Sequence, residues 1–211
     1  MAADPLHYVE VALRHLHQHD PHFAAMYETV GPFRLKVHRD RFRLLAESII
    51  AQQISTRAAK AISARLRDRL RPRRLTAESV LSVPQTVLRD AGLSPQKCRY
   101  LRSLAEMVTS GQVDLRSLHR LSDEEIVERL TKVPGIGRWT AEMFLIFALG
   151  RPDVLPVDDF GLRQALQHRE KLARLPDRAL VRKLAQPWRP YATVGTWYCW
   201  QWLGKIRSQM A

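Results

Sequence analysis

Hydrophobic residues recur along this chain at helical rather than strand spacing. In LHYVEVALRHL, Leu6, Val9, Val11, Leu13 and Leu16 fall loosely on one side of an expected helix. Residues 41–51, RFRLLAESIIA, carry Leu44, Leu45, Ile49 and Ile50 on one stripe, which resumes after AQQIS with Ala58, Ala59, Ile62 and Leu66. The pattern predicts a break between two helices at Gln52–Ser55, with Ser55 capping the second, because a hydroxyl at that position accepts a first-turn amide. Thr76 opens TAESVLSV, Gly92 closes QTVLRDAG, and Ser94-Pro95 supplies the cap and first residue of the next helix. Ser122 with Glu125 three residues on forms a capping box, starting a helix expected to end near Val133. Alternating strand runs and hairpin dipeptides are nearly absent, so the expected class is all-α.

The segment VPGIGRWTAEMF interrupts this helical pattern in an informative way. Its glycines, Gly135 and Gly137, allow a tight turn that another body can approach closely. The amides after the turn open the next helix, where donors lack intrahelical partners. A phosphate oxygen there satisfies those donors and meets the positive end of the helix dipole. Arg138 stands beside them as a charged contact, with Thr140 in the same first turn. A bundle corner would use the same turn without any ligand. Asp158 and Asp159 follow 21 and 22 residues after Gly137, beyond a return segment, LGRPDVLP, whose prolines cannot continue a helix.

Charge changes the balance between those readings. Lys and Arg number 34 against 21 Asp and Glu, a formal net charge of +13, which favours a polyanionic partner through phosphate neutralisation. Eight basic residues between Arg57 and Arg74 are either a wider phosphate footprint or a solvated face. The two cysteines, Cys98 and Cys199, cannot build a four-cysteine zinc or iron–sulfur site, and as lone thiols they fit a reducing cytosol. His15 and His19 share a helix face, but no third ligand is fixed beside them. The N-terminal residues do not read as a signal peptide and no run of 18 apolar residues occurs, so an intracellular soluble protein without a membrane span is expected.

LTKVPGIGRWTAEMFLIFALGRPDVLPVDD resembles the helix-hairpin-helix plus Gly/Pro…Asp signature of the HhH-GPD DNA glycosylase superfamily. GIGRWTAE followed by LPVDD is most similar to the alkyl-purine branch, 3-methyladenine DNA glycosylase II. The likeness extends to ESIIAQQISTRAAKAI, AGLSPQKCRYLRSLA and PWRPYATVGTWY, and so spans about residues 35–200. It implies a two-lobed helical fold in a compact form, without the extra N-terminal β-rich domain and without an iron–sulfur cluster. One lobe would combine residues 1–35 with 151–211. The other would be a central barrel of residues 36–150, with the hairpin at about 122–150.

The implied activity is hydrolysis of the N-glycosidic bond of a damaged base flipped out of duplex DNA, by a monomer needing no cofactor. The resemblance makes Asp159 the catalytic acid, stabilising an oxocarbenium-like sugar while water attacks, and leaves Asp158 as helix cap or support. Trp139, Met143, Phe160 and Trp197 would line the base pocket, where tryptophan rings suit a cationic purine. Trp188, Trp200 and Trp202 read instead as core. Gln53 would fill the gap left by the flipped base, and Gln53, Gly135, Gly137, Arg138 and Thr140 would contact DNA. Backbone carbonyls of Thr131, Val133 and Ile136 would be the place for a structural Na+ or K+.

Strand-cutting relatives carry a lysine in a GxGxKTA context, where this chain has Trp139 in GIGRWTA, so no Schiff base forms there and a monofunctional enzyme is expected. Gly161, where some relatives have a larger residue, suggests an open pocket and tolerance of ethenoadenine beside 3-methyladenine and 7-methylguanine. A cytoplasmic location is implied, on the nucleoid in a bacterium. Two alternatives stand beside this reading: a glycosylase for another lesion, and a non-catalytic hairpin protein that binds DNA damage.

Overall fold

The hydroxyl caps read from the sequence are realised in the structure, a computed structural model that describes residues 5–210. Ser55 Oγ accepts the Ala58 amide at 3.2 Å, and Ser94 Oγ accepts that of Lys97 at 3.2 Å. Thr76 pairs reciprocally with Ser79, and Ser122 with Glu125, each closing a capping box. In chain order the helices are α1 (Val9–His19), α2 (Phe23–Val30), α3 (Arg41–Ala51), α4 (Thr56–Arg69), α5 (Ala77–Leu81) and α6 (Gln85–Asp90). They continue with α7 (Pro95–Thr109), α8 (Asp123–Thr131), α9 (Arg138–Leu149), α10 (Phe160–Arg169), α11 (Arg178–Leu184) and α12 (Ala192–Met210). Among the described residues there is no strand, and no helix is long and apolar enough to cross a membrane. The chain has the all-α architecture its hydrophobic periodicity predicts.

Two units result. One holds the residues up to Val37 and those from Leu145 onward, and the other runs His38–Phe144. The boundary therefore falls inside α9. In the His38–Phe144 unit, α7 packs on α5 and α3, and α3 packs on α4, burying Leu45, Ile49, Leu66, Val80, Leu101 and Leu104. Each such side chain contributes about 1.5–3 kcal/mol by leaving water.

In the other unit α12 packs against α2 and α10, with Tyr198 edge-on to Phe23 at 4.8 Å. The N-terminal stripe differs from its expectation. Tyr8, Ala12 and Leu16 are buried while Val11 is 47% exposed. Val9, Val11 and Leu13 are two apart, so they rotate around a helix, whereas 8, 12 and 16 stack on one face.

The return from α9 to α10 is held by α12. Thr193 Oγ1 donates to the Arg151 carbonyl at 2.6 Å and accepts the Val154 amide at 3.0 Å. The Ala192 amide donates to Asp153 Oδ1 at 3.1 Å. These contacts fix the segment that delivers Asp158 and Asp159.

Candidate functional site

The hairpin lies in the His38–Phe144 unit and is tightly specified. α8 ends at Thr131, and the Ile136 amide donates back to the Val133 carbonyl at 3.0 Å. Gly135 has φ +87, and a Cβ there would meet the Tyr100 ring at 2.2 Å. Gly137 is different: its φ is ordinary and a Cβ would meet nothing within 4 Å. The first glycine is thus required by the protein itself. The second leaves open surface in front of the first-turn amides of α9, as close approach by a ligand requires.

One side chain holds the hairpin to the α3–α4 turn, and a second, from α7, holds that turn. Gln52 Nε2 donates to the Gly135 carbonyl at 2.7 Å. Lys97 Nζ donates to the carbonyls of Ile50 and Gln52, at 2.7 and 2.6 Å, satisfying acceptors left over where α3 ends. Burial pulls the Lys97 ammonium below the ordinary lysine range. The next residue, Gln53, is exposed and has φ +56, a left-handed conformation unusual for a residue with a side chain. Together these elements border a groove of about 610 Å³ that includes Gln53, Ile54, Lys97, Tyr100, Pro134 and Gly137.

Arg138, exposed on the first turn of α9, makes a two-point ion pair with Glu124, one arm at 3.1 Å. That guanidinium holds the Glu124 carboxyl below the usual carboxylate range. The side chain of Thr140 is buried, so this residue offers only its first-turn backbone. In the basic stretch, Arg65, Arg69 and Arg71 donate to main-chain carbonyls, whereas Arg57 and Lys60 stand exposed on α4. His15 and His19 stack at 4.1 Å and bond to backbone oxygens, and no metal-binding cluster occurs among the described residues.

The glycines separate fold from binding in a testable way. Gly135→Ala is expected to lower stability by roughly 2 kcal/mol or more, through strain at positive φ and the clash with Tyr100. Gly137→Ala is expected to melt like the native chain yet bind duplex DNA at least about tenfold more weakly. Thermal melts beside fluorescence anisotropy on a labelled duplex distinguish the two; a Gly137→Ala protein with native affinity would remove the hairpin from the DNA interface.

The acid pair lies in the other unit. Asp159 is the N-cap of α10 and only 9% exposed. Its Oδ1 accepts the Leu162 amide at 2.6 Å and the Trp200 indole N–H at 2.7 Å. Asp158, expected as the helix cap, instead accepts Arg178 Nε at 2.6 Å on the surface. The helix begins at Phe160, so the residue immediately before it, Asp159, takes the cap.

Trp200, read from sequence as core, is half-buried and reaches the acid while stacking on Phe147 at 5.9 Å. No local signal marks this pairing, since the two residues lie 41 positions apart. Gly161 also departs from expectation. A Cβ there would stand 3.2 Å from Asp159 Oδ1 and 3.3 Å from Trp200 Cδ1, so the acid and indole occupy the space that a larger residue would fill.

The expected pocket residues divide between the units. Trp139 is 47% exposed and shares a face of α9 with half-buried Met143. Phe160, beside the acid in sequence, is 59% exposed. Trp197 is buried against Phe33 at 4.7 Å and borders a cleft of about 390 Å³ with Arg34, Gln201 and Lys205.

Comparison with known proteins gives the same direction. Residues 46–190 match the family described as HhH-GPD superfamily base excision DNA repair protein. The chain is 33% identical over 192 residues to DNA-3-methyladenine glycosylase 1 of Schizosaccharomyces pombe, covering 89% of this chain and 84% of that protein. A solved 3-methyladenine DNA glycosylase of the same yeast, in complex with abasic DNA, superposes with a TM-score of 0.80 at 33% identity, over 90% of this chain and 95% of that one. A DNA-3-methyladenine glycosidase from Bacillus halodurans gives 0.82 at 33% identity, over 92% and 89% of the two chains.

Proposed function

This chain belongs to the HhH-GPD superfamily of base excision DNA repair proteins, and from that premise we propose that it hydrolyses the N-glycosidic bond of alkylated bases in duplex DNA. The observation that carries the proposal is a largely buried carboxylate, Asp159, anchored by two donors on one oxygen. In a protein that holds DNA, such a fixed negative charge suits a deoxyribose ring that becomes cationic as its base departs.

Each group then has a task. The open surface at Gly137 and the amides opening α9 receive a backbone phosphate, and Arg138 exchanges Glu124 for the phosphate anion. Gln53, held out in its left-handed turn, fills the stack vacated by the flipped base. Trp139, with Met143 on the same face of α9, and Phe160, beside the acid in the other unit, each offer an exposed aromatic face for stacking on a base, and Trp197 is proposed for the same task. The C1′–N bond breaks heterolytically, and its electron pair neutralises the positive alkylated purine, which departs without a strong general acid. Asp159 stabilises the resulting oxocarbenium character. Water adds at C1′, and its proton passes to the carboxylate or to solvent. Trp139 stands where lyase relatives have lysine, so no covalent sugar–enzyme adduct is required.

No cofactor is needed for these steps. The carbonyls of Thr131, Val133 and Ile136 are the proposed place for an optional Na+ or K+; that of Val133 spends one lone pair on the Ile136 amide and keeps a second. The proposed setting is the cytoplasm, on the nucleoid if the source is bacterial.

The test is chromatography of free bases released from methylated duplex DNA. Release of 3-methyladenine or 7-methylguanine is expected, with the strand uncut until alkali is added and no adduct trapped by borohydride. Ethenoadenine in a defined duplex asks the same question of a bulkier lesion. Tight lesion binding with no base released would favour a damage-binding protein, and a trapped adduct would overturn the hydrolytic mechanism.

A further inference from the structure

We infer that Trp200 and Gly161 together position the Asp159 carboxylate, Trp200 by donating its indole N–H to Oδ1 and Gly161 by leaving room for the two to meet. The inference rests on Asp159 being the acid of the reaction. Oδ1 accepts two donors, the Leu162 amide at 2.6 Å and Trp200 Nε1 at 2.7 Å. A carboxylate oxygen offers two lone-pair directions, and these donors use both. Oδ1 is therefore an anchored oxygen, held from two directions at once.

The donors differ in origin and in effect. The Leu162 amide belongs to the helix that Asp159 caps, so it ties the acid only to its own backbone turn. Trp200 comes from α12 and fixes rotation of the carboxylate plane against a second element. Indole is a donor without an acceptor, which makes the pairing directional. Its ring is itself braced by Phe147, stacked at 5.9 Å with planes 16° apart. Trp200 thus acts through Asp159 and is a positioning residue.

Gly161 is the spatial condition for that pairing. It lies in the first turn of α10 with an ordinary φ, so the backbone makes no demand for glycine, and a helix is better served there by alanine. What the site lacks is space: an added Cβ would stand 3.2 Å from Oδ1 and 3.3 Å from the indole Cδ1. An alanine must push one partner aside. Orientation errors of this kind are costly because a carboxylate stabilises a developing cation only from a preorganised position.

Single-turnover release of 3-methyladenine from methylated duplex DNA tests the inference in the whole protein. Trp200→Phe keeps a ring against Phe147 and loses only the N–H; it is expected to slow release by about 10- to 100-fold. Its affinity for a duplex bearing a neutral tetrahydrofuran site should be unchanged, while its preference for a cationic pyrrolidine sugar mimic falls about tenfold. Gly161→Ala is expected to lose rate in the same direction with an unchanged or higher melting temperature, a combination that general destabilisation does not produce.

Native rate and native pyrrolidine preference in Trp200→Phe would overturn the proposal. Asp159→Asn separates the two levels. If that variant releases base at the native rate, the reading of Asp159 itself fails. If it is inert while Trp200→Phe is fully active, only the positioning role fails. Adding Trp200→Phe to Asp159→Asn should cause no further loss.

Discussion

An Asp159→Asn protein is expected to release alkylated bases about 100- to 1,000-fold more slowly than the native chain while folding as well as it does. The two effects separate because this residue holds two positions at once. As N-cap of α10 it accepts the Leu162 amide at 2.6 Å, and as the charged group of the site it accepts Trp200 Nε1 at 2.7 Å. Asparagine retains an Oδ1 that can accept both donors, and it caps helices about as well as aspartate. It brings no negative charge to an oxocarbenium-like sugar. Asp159→Ala would confound the two roles, because removing the cap costs about 1 kcal/mol and the indole donor loses its acceptor. Chromatographic release assays beside thermal melts make the comparison; full activity in Asp159→Asn would move the chemistry to another residue.

The largest expected loss of stability lies away from Asp159, at Asp20. This C-cap residue of α1 accepts Trp188 Nε1 at 2.6 Å and Arg169 Nη1 at 2.8 Å, both on Oδ2, and its Oδ1 accepts the His22 amide at 2.9 Å. The Arg169 and Asp20 side chains are only 4% and 2% exposed, and the Arg169 guanidinium also lies over the Trp188 ring at 5.4 Å. Solvent cannot replace a lost partner there. Asp20→Ala leaves a buried guanidinium short of one counter-charge and a buried indole without an acceptor, at a cost of roughly 3–5 kcal/mol. Domain stabilities are about 5–15 kcal/mol, so roughly a fifth or more of the total is at stake.

Denaturant titration of Asp20→Ala measures that cost directly. A midpoint close to native would show that the network contributes little. Replacing Asp20 and Arg169 together by apolar residues is expected to recover part of the loss, because the uncompensated charge goes with its partner. The folded fraction of either variant should retain base release, since Asp20 makes no contact with the acid in the bonds described above. The same region carries Cys199, whose thiol is pushed up to about 12 by burial and is thereby inert near neutrality.

Much of this architecture was legible because the determining interactions are local. Ser55, Thr76, Ser94 and Ser122 each bond three residues ahead, a distance at which sequence pattern and geometry are nearly the same thing. The hairpin followed similarly from a capped helix, a Pro-Gly-x-Gly turn and an apolar helix. The two glycines read alike in sequence and proved different in space, because only Gly135 faces a neighbouring ring. The α1 stripe differs for a related reason: residues two apart turn to different sides of a helix, so Tyr8, Ala12 and Leu16 are buried and Val11 is exposed. Asp158 and Asp159 could not be ranked as caps without knowing the residue at which α10 starts.

From the chain alone came the helical class, the helix starts, the phosphate-suited turn and the basic character, which depend on composition or on residues within a turn of one another; the candidate acid came from the resemblance to the alkyl-purine glycosylases. Only the tertiary structure decided that Gln52 holds the hairpin carbonyl 83 positions away, that Asp20 meets Arg169 across 149, and that Trp200 reaches Asp159 across 41. It also gave Gly161 its reason, as space for a carboxylate and an indole. Such pairings follow from how apolar helix faces bury against one another, and a polar partner is selected only after that packing has brought distant residues into reach.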